Sequence, residues 1–275
     1  MSYFEEFYQT QKPQGIIEGF EYQILEQSTH EKWVRRYPKF SSVLEDQFLG
    51  PLIKEKTLFY KCPAYFINPN DLKKWLHKGI SNIQYKNKVV TKIVKNNEAY
   101  QVETLDENIL ADKVILCTNH LTPLLSKDIS EEFQFYLNHC KPVSGSYLEL
   151  NQVSRFGIEF NSTFNLAIEK YHFIYRHDID QIQIGATSNN RDTCEIPKTQ
   201  QLQDIYSFID RYTQFKLPRY EEFTEKSGIR FKGYYRLPFW GKIDDSNLYT
   251  VCGLYKNAFT YAFRAAEDLK LDLLN

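Results

Sequence analysis

The sequence has one methionine, no long apolar run and no excess of either charge sign. Its 34 lysines and arginines are balanced by 35 aspartates and glutamates, which leaves a formal net charge of −1. No whole-chain field therefore draws the protein to nucleic acid or to anionic lipid. The amino terminus MSYFEEFYQTQ lacks the basic start and the apolar run of a signal peptide, and no segment is long enough to span a bilayer. We predict a soluble chain without membrane attachment.

Cysteine is scarce and scattered. The five cysteines are far apart and odd in number, which argues against a disulfide framework and favours a reducing compartment, the cytoplasm. A pair such as Cys117 and His120 has a spacing that could suit a metal, but six histidines and five cysteines produce such pairs by chance. No metal site is predicted.

The motifs of several enzyme classes are absent. The sequence contains no G-x-S-x-G, no H-E-x-x-H, no Walker loop and no paired C-x-x-C, so serine hydrolases, zinc proteases and P-loop enzymes are disfavoured. No two of the 11 glycines stand two positions apart, so the dinucleotide-binding G-x-G-x-x-G is missing as well. The chain is instead rich in aromatic residues, with 20 tyrosines and 20 phenylalanines. Such residues can fill a core or line a ligand pocket.

Periodicity predicts an ordered series of elements. The first sixty residues are predicted as helical segments, one of them beginning near Ser28 and ending before Pro38. A second helix is predicted in NPNDLKKWLHKG, capped by Asn70 or Asp71 and ended by Gly79. Three or four strands follow, the last of them the fully apolar run VILC, which is typical of a strand covered on both faces.

The second half of the chain predicts an antiparallel sheet and two helices. VSGSYLELN and YHFIYRHDIDQIQIGATS alternate apolar and polar residues, with a turn at RHDID. Leu202, Ile205, Tyr206 and Ile209 have helical spacing. A strand from Leu248 to Cys252 and a helix from about residue 257 to the end are predicted last.

In this order, the segments resemble a known family. The quoted pieces are INPNDLKKWL with KNKVVTKIV, ADKVILCTN, the entry marked by Pro142, Gly145 and Leu150, YHFIYRHDIDQIQIGATSNN, GIRFKGYYRLPFWG and NLYTVCGLYKNAFTYAF. Over residues 65–265 they are similar to FAD-dependent oxidoreductases of the D-amino-acid oxidase and glycine oxidase type. That group also includes the flavin domain of a tRNA-modifying enzyme that acts on wobble uridine.

The resemblance implies a fold class and a division of the chain. The expected fold is α/β: a truncated, Rossmann-like FAD-binding domain interleaved with an antiparallel-sheet α+β substrate domain. Residues 1–125 and 226–275 are expected to form the remnant of the cofactor domain, and residues 126–225 the substrate domain.

The resemblance also implies site residues. Arg230 matches the family arginine that holds the substrate carboxylate, a role suited to a planar two-pronged cation; alternatively, it is a structural arginine paired with a nearby acid. Weaker substrate-site candidates lie in the hairpin: Tyr171, Tyr175 and Arg176. Candidate cofactor-contacting residues follow two of the strands: Asn119, Gly253, Lys256, Asn257 and Ala258. No acid or base residue is predicted to be catalytic, because the flavin accepts the electrons.

Three functions stay open at the level of sequence. FAD is the cofactor that the family implies, but the G-x-G-x-x-G unit is missing, and Asn119 and Ala258 stand where relatives have glycine. The chain is therefore either an oxidoreductase of amines or amino acids, which binds FAD through a reduced site or with a partner chain, or a non-catalytic binding or regulatory module, or a degenerate relative. The expected ligand is a small amine or carboxylate. A homo- or hetero-oligomer is expected, and no nucleic-acid signal is present.

Overall fold

The computed structural model describes residues 3–25, 42–43, 58–80, 82–96, 99–126, 130–243 and 246–274. Helices α1 to α6 within these ranges cover Tyr3–Gln11, Pro69–Lys78, Thr122–Leu125, Glu131–His139, Thr199–Tyr212 and Ala258–Leu274. Strands β1 to β8 cover Ile16–Leu25, Ser42–Val43, Leu58–Ile67, Val90–Asn96, Ala99–Thr104, Asn108–Ala111, Val114–Leu116 and Lys141–Asn151. Strands β9 to β15 cover Phe164–Ile168, Tyr171–Arg176, Gln181–Gly185, Asn189–Asn190, Thr224–Lys232, Phe239–Lys242 and Leu248–Cys252.

A large mixed sheet dominates the described part of the chain. Its strand order is β13-β8-β11-β10-β9-β1-β3-β2, with the short β12 paired to β8 beside β11. Neighbouring strands are antiparallel except for β1 and β9, which run parallel. This one parallel pair attaches the antiparallel strands β1 and β3 to the strands of the second half.

One face of the large sheet forms the main core. Strands β8 to β11 alternate, so that every second side chain points to this face, and α5 packs across it with Leu202, Ile205 and Ile209 buried. Phe164 and Phe173 lie at the centre and are fully buried. The opposite face of these strands carries mostly polar side chains and glycines, such as Asn165, His172 and Gly145.

Two smaller sheets complete the fold. Strands β4, β5 and β6 form an antiparallel meander, and β14, β15 and β7 form the other sheet, in which β7 and β15 are parallel. Helix α4 covers this region through Phe133 and Leu137, which join a second buried cluster with Leu116 and Leu248. Helix α6 packs against β14 and α1, where Phe7 and Phe263 stack with their ring centroids 3.9 Å apart.

The predicted elements of the middle and end are confirmed, with one shift. The second helix spans Pro69–Lys78, and its cap is Asn68, whose side chain accepts hydrogen bonds from the backbone of Asn70 and Asp71. The antiparallel strands, α5 and β15 lie where the pattern places them, and α6 begins at Ala258. No described helix combines the length and the apolar character that crossing a bilayer requires.

The first sixty residues differ from the prediction. Beyond α1, the described residues there are strands: β1 is a ten-residue strand paired along its whole length with β3. The prediction of further helices was wrong because the alternating IIEGFEYQIL was not recognised as a strand. The helix predicted near Ser28 lies outside the described residues.

The sheets cut across the predicted division of the chain. Strand β1 comes from residues 1–125 and most of β13 from residues 226–275, yet β1 pairs with β9 and β13 pairs with β8, two strands of residues 126–225. Backbone pairing is decided by long-range register, which the composition of a segment does not reveal.

Candidate functional site

A cavity of about 760 Å³ lies where β7 and β15 end. Because these strands are parallel, the segments that follow them meet at one edge, the place where open α/β sheets bind ligands. Its walls are mostly apolar and come from β7, β13, β15 and α6: Ile115, Cys117, Asn119, Ile229, Arg230, Val251, Cys252, Leu254, Tyr255, Ala258, Ala262, Ala266, Leu269, Lys270, Leu273 and Leu274. Ile115, in the strand predicted to be covered on both faces, is 43% exposed here.

Arg230 brings a positive charge to this apolar wall. It lies on β13 opposite Val143, and its guanidinium extends over Gly145, where a Cβ would collide with Nη1. The Nη1 atom is buried and has no hydrogen-bond partner among the described residues. The alternative of a structural ion pair is not seen there either, since no described carboxylate contacts Arg230. A buried donor without a partner is costly, so this position favours an acceptor, ideally an anion, from a ligand.

Asn119 connects the end of β7 to the strand that carries Arg230. Its backbone is left-handed, with φ of 52°, a conformation that asparagine tolerates better than most residues. Its Nδ2 donates to the carbonyl of Ile229 at 3.4 Å. The neighbouring Cys117 thiol also lines the cavity. Desolvation raises its pKa, so the thiol stays protonated and uncharged in the site.

The turn between β15 and α6 closes the cavity. Gly253 has φ of 72°, and a Cβ there would come within 3.0 Å of the Cα of Gly233, so only glycine fits this approach of two chains. Of the five residues predicted to contact the cofactor, Asn119 and Ala258 line the cavity, whereas Gly253, Lys256 and Asn257 flank it. Sequence reasoning missed Tyr255, which lines the cavity and whose hydroxyl lies 3.4 Å from that of Ser188.

The three hairpin candidates lie elsewhere. Tyr175 is 2% exposed, packs in the main core, and its hydroxyl accepts a hydrogen bond from the backbone N–H of Phe160. The Arg176 guanidinium is held by both oxygens of Asp178, at 2.9 and 2.7 Å. The ring of Tyr171 packs against Phe208 on α5. None of the three lines the cavity, and the contacts of Arg176 and Tyr175 are those of structural residues.

A polar chain on the opposite face of the sheet is a feature that sequence reasoning missed. Asn165 Nδ2 donates to Glu21 Oε2 at 2.8 Å and lies 3.0 Å from His172 Nδ1. Burial lowers the pKa of His172 from its ordinary value of 6.5, Glu21 opposes this shift, and the ammonium group of Lys256 adds to it. His172 is therefore neutral in the folded protein near neutral pH.

The stability of the fold should depend on pH through His172. Since its pKa is lower in the folded than in the unfolded chain, the unfolded chain takes up a proton first as the pH falls. We expect the free energy of unfolding to decrease as pH falls through 6.5 and to level off below the pKa of the folded state. Chemical denaturation over this range should show a smaller slope for His172→Gln. The control His177→Gln removes an exposed histidine and should keep the slope; an unchanged slope in His172→Gln would contradict the assignment.

Comparison with known proteins gives a consistent result. The sequence profile described as FAD dependent oxidoreductase matches residues 29–270. Among solved structures, a glycine oxidase from Bacillus cereus ATCC 14579 is similar at a TM-score of 0.75 and 15% identity, over 98% of this chain and 77% of that one. An iminodiacetate oxidase from Chelativorans sp. BNC1 gives 0.73 and 14%, over 98% and 78%. An L-α-glycerophosphate oxidase from Mycoplasma pneumoniae, solved with FAD bound, gives 0.75 and 13%, over 99% and 78%.

At these identities the similarity establishes a shared fold. No match was found among curated proteins.

Proposed function

Because the chain belongs to the family of FAD-dependent oxidoreductases, we propose that it oxidises a small amine or amino acid that carries a carboxylate. The observation that carries this proposal is Arg230, whose buried Nη1 lacks a partner among the described residues at the wall of an apolar cavity. A guanidinium in an apolar setting binds a carboxylate with two parallel hydrogen bonds. The solved structures of a glycine oxidase and an iminodiacetate oxidase, whose names denote substrates of this class, support the same proposal.

The residues of the cavity fit one end of the cofactor. Asn119, Tyr255 and Ala258, at the ends of β7 and β15, would hold the flavin ring against apolar walls. FAD, when bound, supplies the acceptor for the two electrons removed from the substrate. The sequence has no glycine-rich turn for the pyrophosphate, and among the described residues β7 pairs with β15 alone. We therefore propose that a partner chain adds a strand to β7 and completes the grip on FAD.

Within this chain, the roles are binding, orientation and exclusion of water. Arg230 fixes the carboxylate and thereby orients the carbon beside the amine toward the ends of β7 and β15. The apolar side chains of α6, such as Ala262 and Leu269, keep water away from that point. When the amine is bound in its neutral form, no side chain has to take a proton from its nitrogen.

Visible absorbance tests the proposal. After incubation with excess FAD and desalting, the protein should keep a flavin absorbance band. If the chain alone does not keep one, the band should appear when it is mixed with a partner chain co-purified from the source cell. The band should bleach anaerobically on addition of an amino acid or an N-substituted glycine. Saturable carboxylate binding with no flavin band in any sample would instead establish a non-catalytic binding module and refute the oxidoreductase.

Gly145 offers a selective way to perturb Arg230. A methyl group at this position would collide with Nη1 and lie 3.0 Å from the carbonyl oxygen of Thr187. Because the guanidinium is the end of a flexible side chain, it moves before the strand does. We expect Gly145→Ala to weaken carboxylate binding at least about tenfold, measured by calorimetry.

The matched control is Gly228→Ala. Gly228 lies directly opposite Gly145 in the β8–β13 pair, and an added Cβ meets nothing within 4 Å. This variant should bind like the unmodified protein. If Gly145→Ala and Gly228→Ala bind the carboxylate equally well, carboxylate binding does not depend on the position of Arg230 over Gly145.

A further inference from the structure

A second cavity, also of about 760 Å³, is separate from the first and shares no lining residue with it. It lies where α4 ends, β8 begins and β13 ends. Ten residues line it: Asn138, His139, Cys140, Lys141, Arg191, Lys232, Gly233, Tyr234, Tyr235 and Arg236. We call it the basic cavity, because four of these residues are lysine or arginine and none is aspartate or glutamate.

The four cations have no counter-ion among the described residues. Lys141, Arg191 and Arg236 take part in no ion pair there, and the ammonium of Lys232 lies 5.9 Å from the ring centroid of Tyr255. Since the whole chain carries a net charge of −1, this concentration of positive charge is local to the cavity. Positive charges held close together repel each other, and a bound anion would offset this repulsion.

The acid next to Arg191 in the sequence is already engaged. Asp192 follows Arg191 in sequence, but its carboxylate accepts hydrogen bonds from the Ser144 hydroxyl and the Cys194 backbone and pairs with Lys198 at 3.2 Å. These hydrogen bonds lower the pKa of Asp192. The Asp192 carboxylate is thus bound by Ser144, Cys194 and Lys198 and forms no ion pair with Arg191 among the described residues. The guanidinium of Arg191 is therefore available to a ligand.

The backbone around the cavity is strained in three places. Arg191, Tyr235 and Arg236 have left-handed φ angles of 60°, 51° and 65°, although none is glycine. Such conformations gather at ligand-binding positions, where the surrounding structure maintains them. Here they direct two guanidinium groups and one tyrosine to the same cavity.

Aromatic rings form one side of the basic cavity. The rings of Tyr234 and Tyr235 lie 4.3 Å apart, and His139 lies 4.7 Å from Tyr234. Tyr235 is 79% exposed, so most of its ring is available to a ligand. A planar ring beside a cluster of cations is the combination that recognises a base together with its phosphates.

We propose that the basic cavity binds a nucleotide with at least two phosphates. Lys141, Arg191, Lys232 and Arg236 contact the phosphate oxygens, for which forked guanidinium groups are well suited, and Tyr235 stacks on the base. This site is distinct from the cavity at Arg230 and needs no oxidation chemistry. It stands even if the chain binds no flavin.

Calorimetric titration with ADP, inorganic pyrophosphate and adenosine tests the proposal. We expect ADP to bind most tightly, pyrophosphate about tenfold more weakly, and adenosine hardly at all. Tyr235→Ala should remove most of the advantage of ADP over pyrophosphate. The affinity for both anions should fall as salt is raised. Absence of binding by ADP and pyrophosphate would overturn the proposal.

A charge-matched pair of double variants locates the binding. Lys141→Gln/Arg236→Gln removes two cations from the basic cavity, and Lys216→Gln/Arg211→Gln removes two exposed cations on and after α5. We expect the first variant to weaken ADP at least tenfold and the second less than twofold. The first should also keep its melting temperature without ligand, because it relieves repulsion. Equal affinities for the two variants would place ADP elsewhere and overturn the proposal.

Discussion

Arg230→Ala should weaken carboxylate binding at least about 30-fold while the protein stays folded. Truncating one member of a buried, hydrogen-bonded charge pair costs about 2–5 kcal/mol of binding free energy, which corresponds to a loss of roughly 30-fold to several thousand-fold in affinity. Folding should tolerate the change, since the guanidinium Nη1 makes no hydrogen bond with the described residues that folding would lose. Titration with glycine and with N-substituted glycines measures the affinity, and circular dichroism checks the fold.

Arg230→Lys separates charge from geometry. The ammonium keeps the positive charge but lacks the two-pronged donor arrangement, so we expect binding between that of the unmodified protein and that of Arg230→Ala. If Arg230→Ala binds as tightly as the unmodified protein, the carboxylate does not meet Arg230, and the proposed substrate class is wrong.

Phe164→Ala should be the most destabilising single change in the large sheet. Phe164 is fully buried and has Tyr22, Phe160, Phe173 and Tyr175 as aromatic neighbours, with centroid distances from 5.2 to 6.5 Å. Removing the ring leaves a cavity among side chains of β1, of β10 and of the segment before β9, which cannot close over it together. We expect a loss of about 3–5 kcal/mol in the free energy of unfolding, measured by urea denaturation.

Phe135→Ala is the matched control for that measurement. Its ring is 57% exposed on α4, so its removal should cost less than about 1 kcal/mol. A loss for Phe164→Ala as small as that for Phe135→Ala would mean that the β9 region can repack around the missing ring.

Local signals accounted for the elements that the sequence predicted well. The helix after Asn68 has a cap, an apolar stripe and a terminal glycine within a dozen residues, and α5 buries the three residues with the clearest helical spacing. By contrast, β1 acquires its neighbours from β3 and β9, which are distant in sequence. Propensity and spacing report on nearby residues, so a strand defined by distant partners is harder to predict.

The same distinction applies to the candidate site. The G-x-R motif identified Arg230, but only the structure shows that its Nη1 is buried and has no described partner. For Arg176, named from the resemblance as a substrate-site candidate, the structure instead shows a guanidinium held by Asp178. The basic cavity left no motif, since its cations become neighbours only when β12 and β13 pair with β8.

The parallel pairing of β1 with β9 also has consequences for how the chain acquires its structure during synthesis. Glu21 and Asn165, which are hydrogen-bonded across this pair, are separated by 144 residues, and Leu116 and Thr250 by 134. More than half of the chain must therefore be synthesised before β1 can pair with β9. Chains with many such distant contacts fold slowly, in milliseconds to seconds. Until their strands are paired, the exposed strand edges are targets for chaperones.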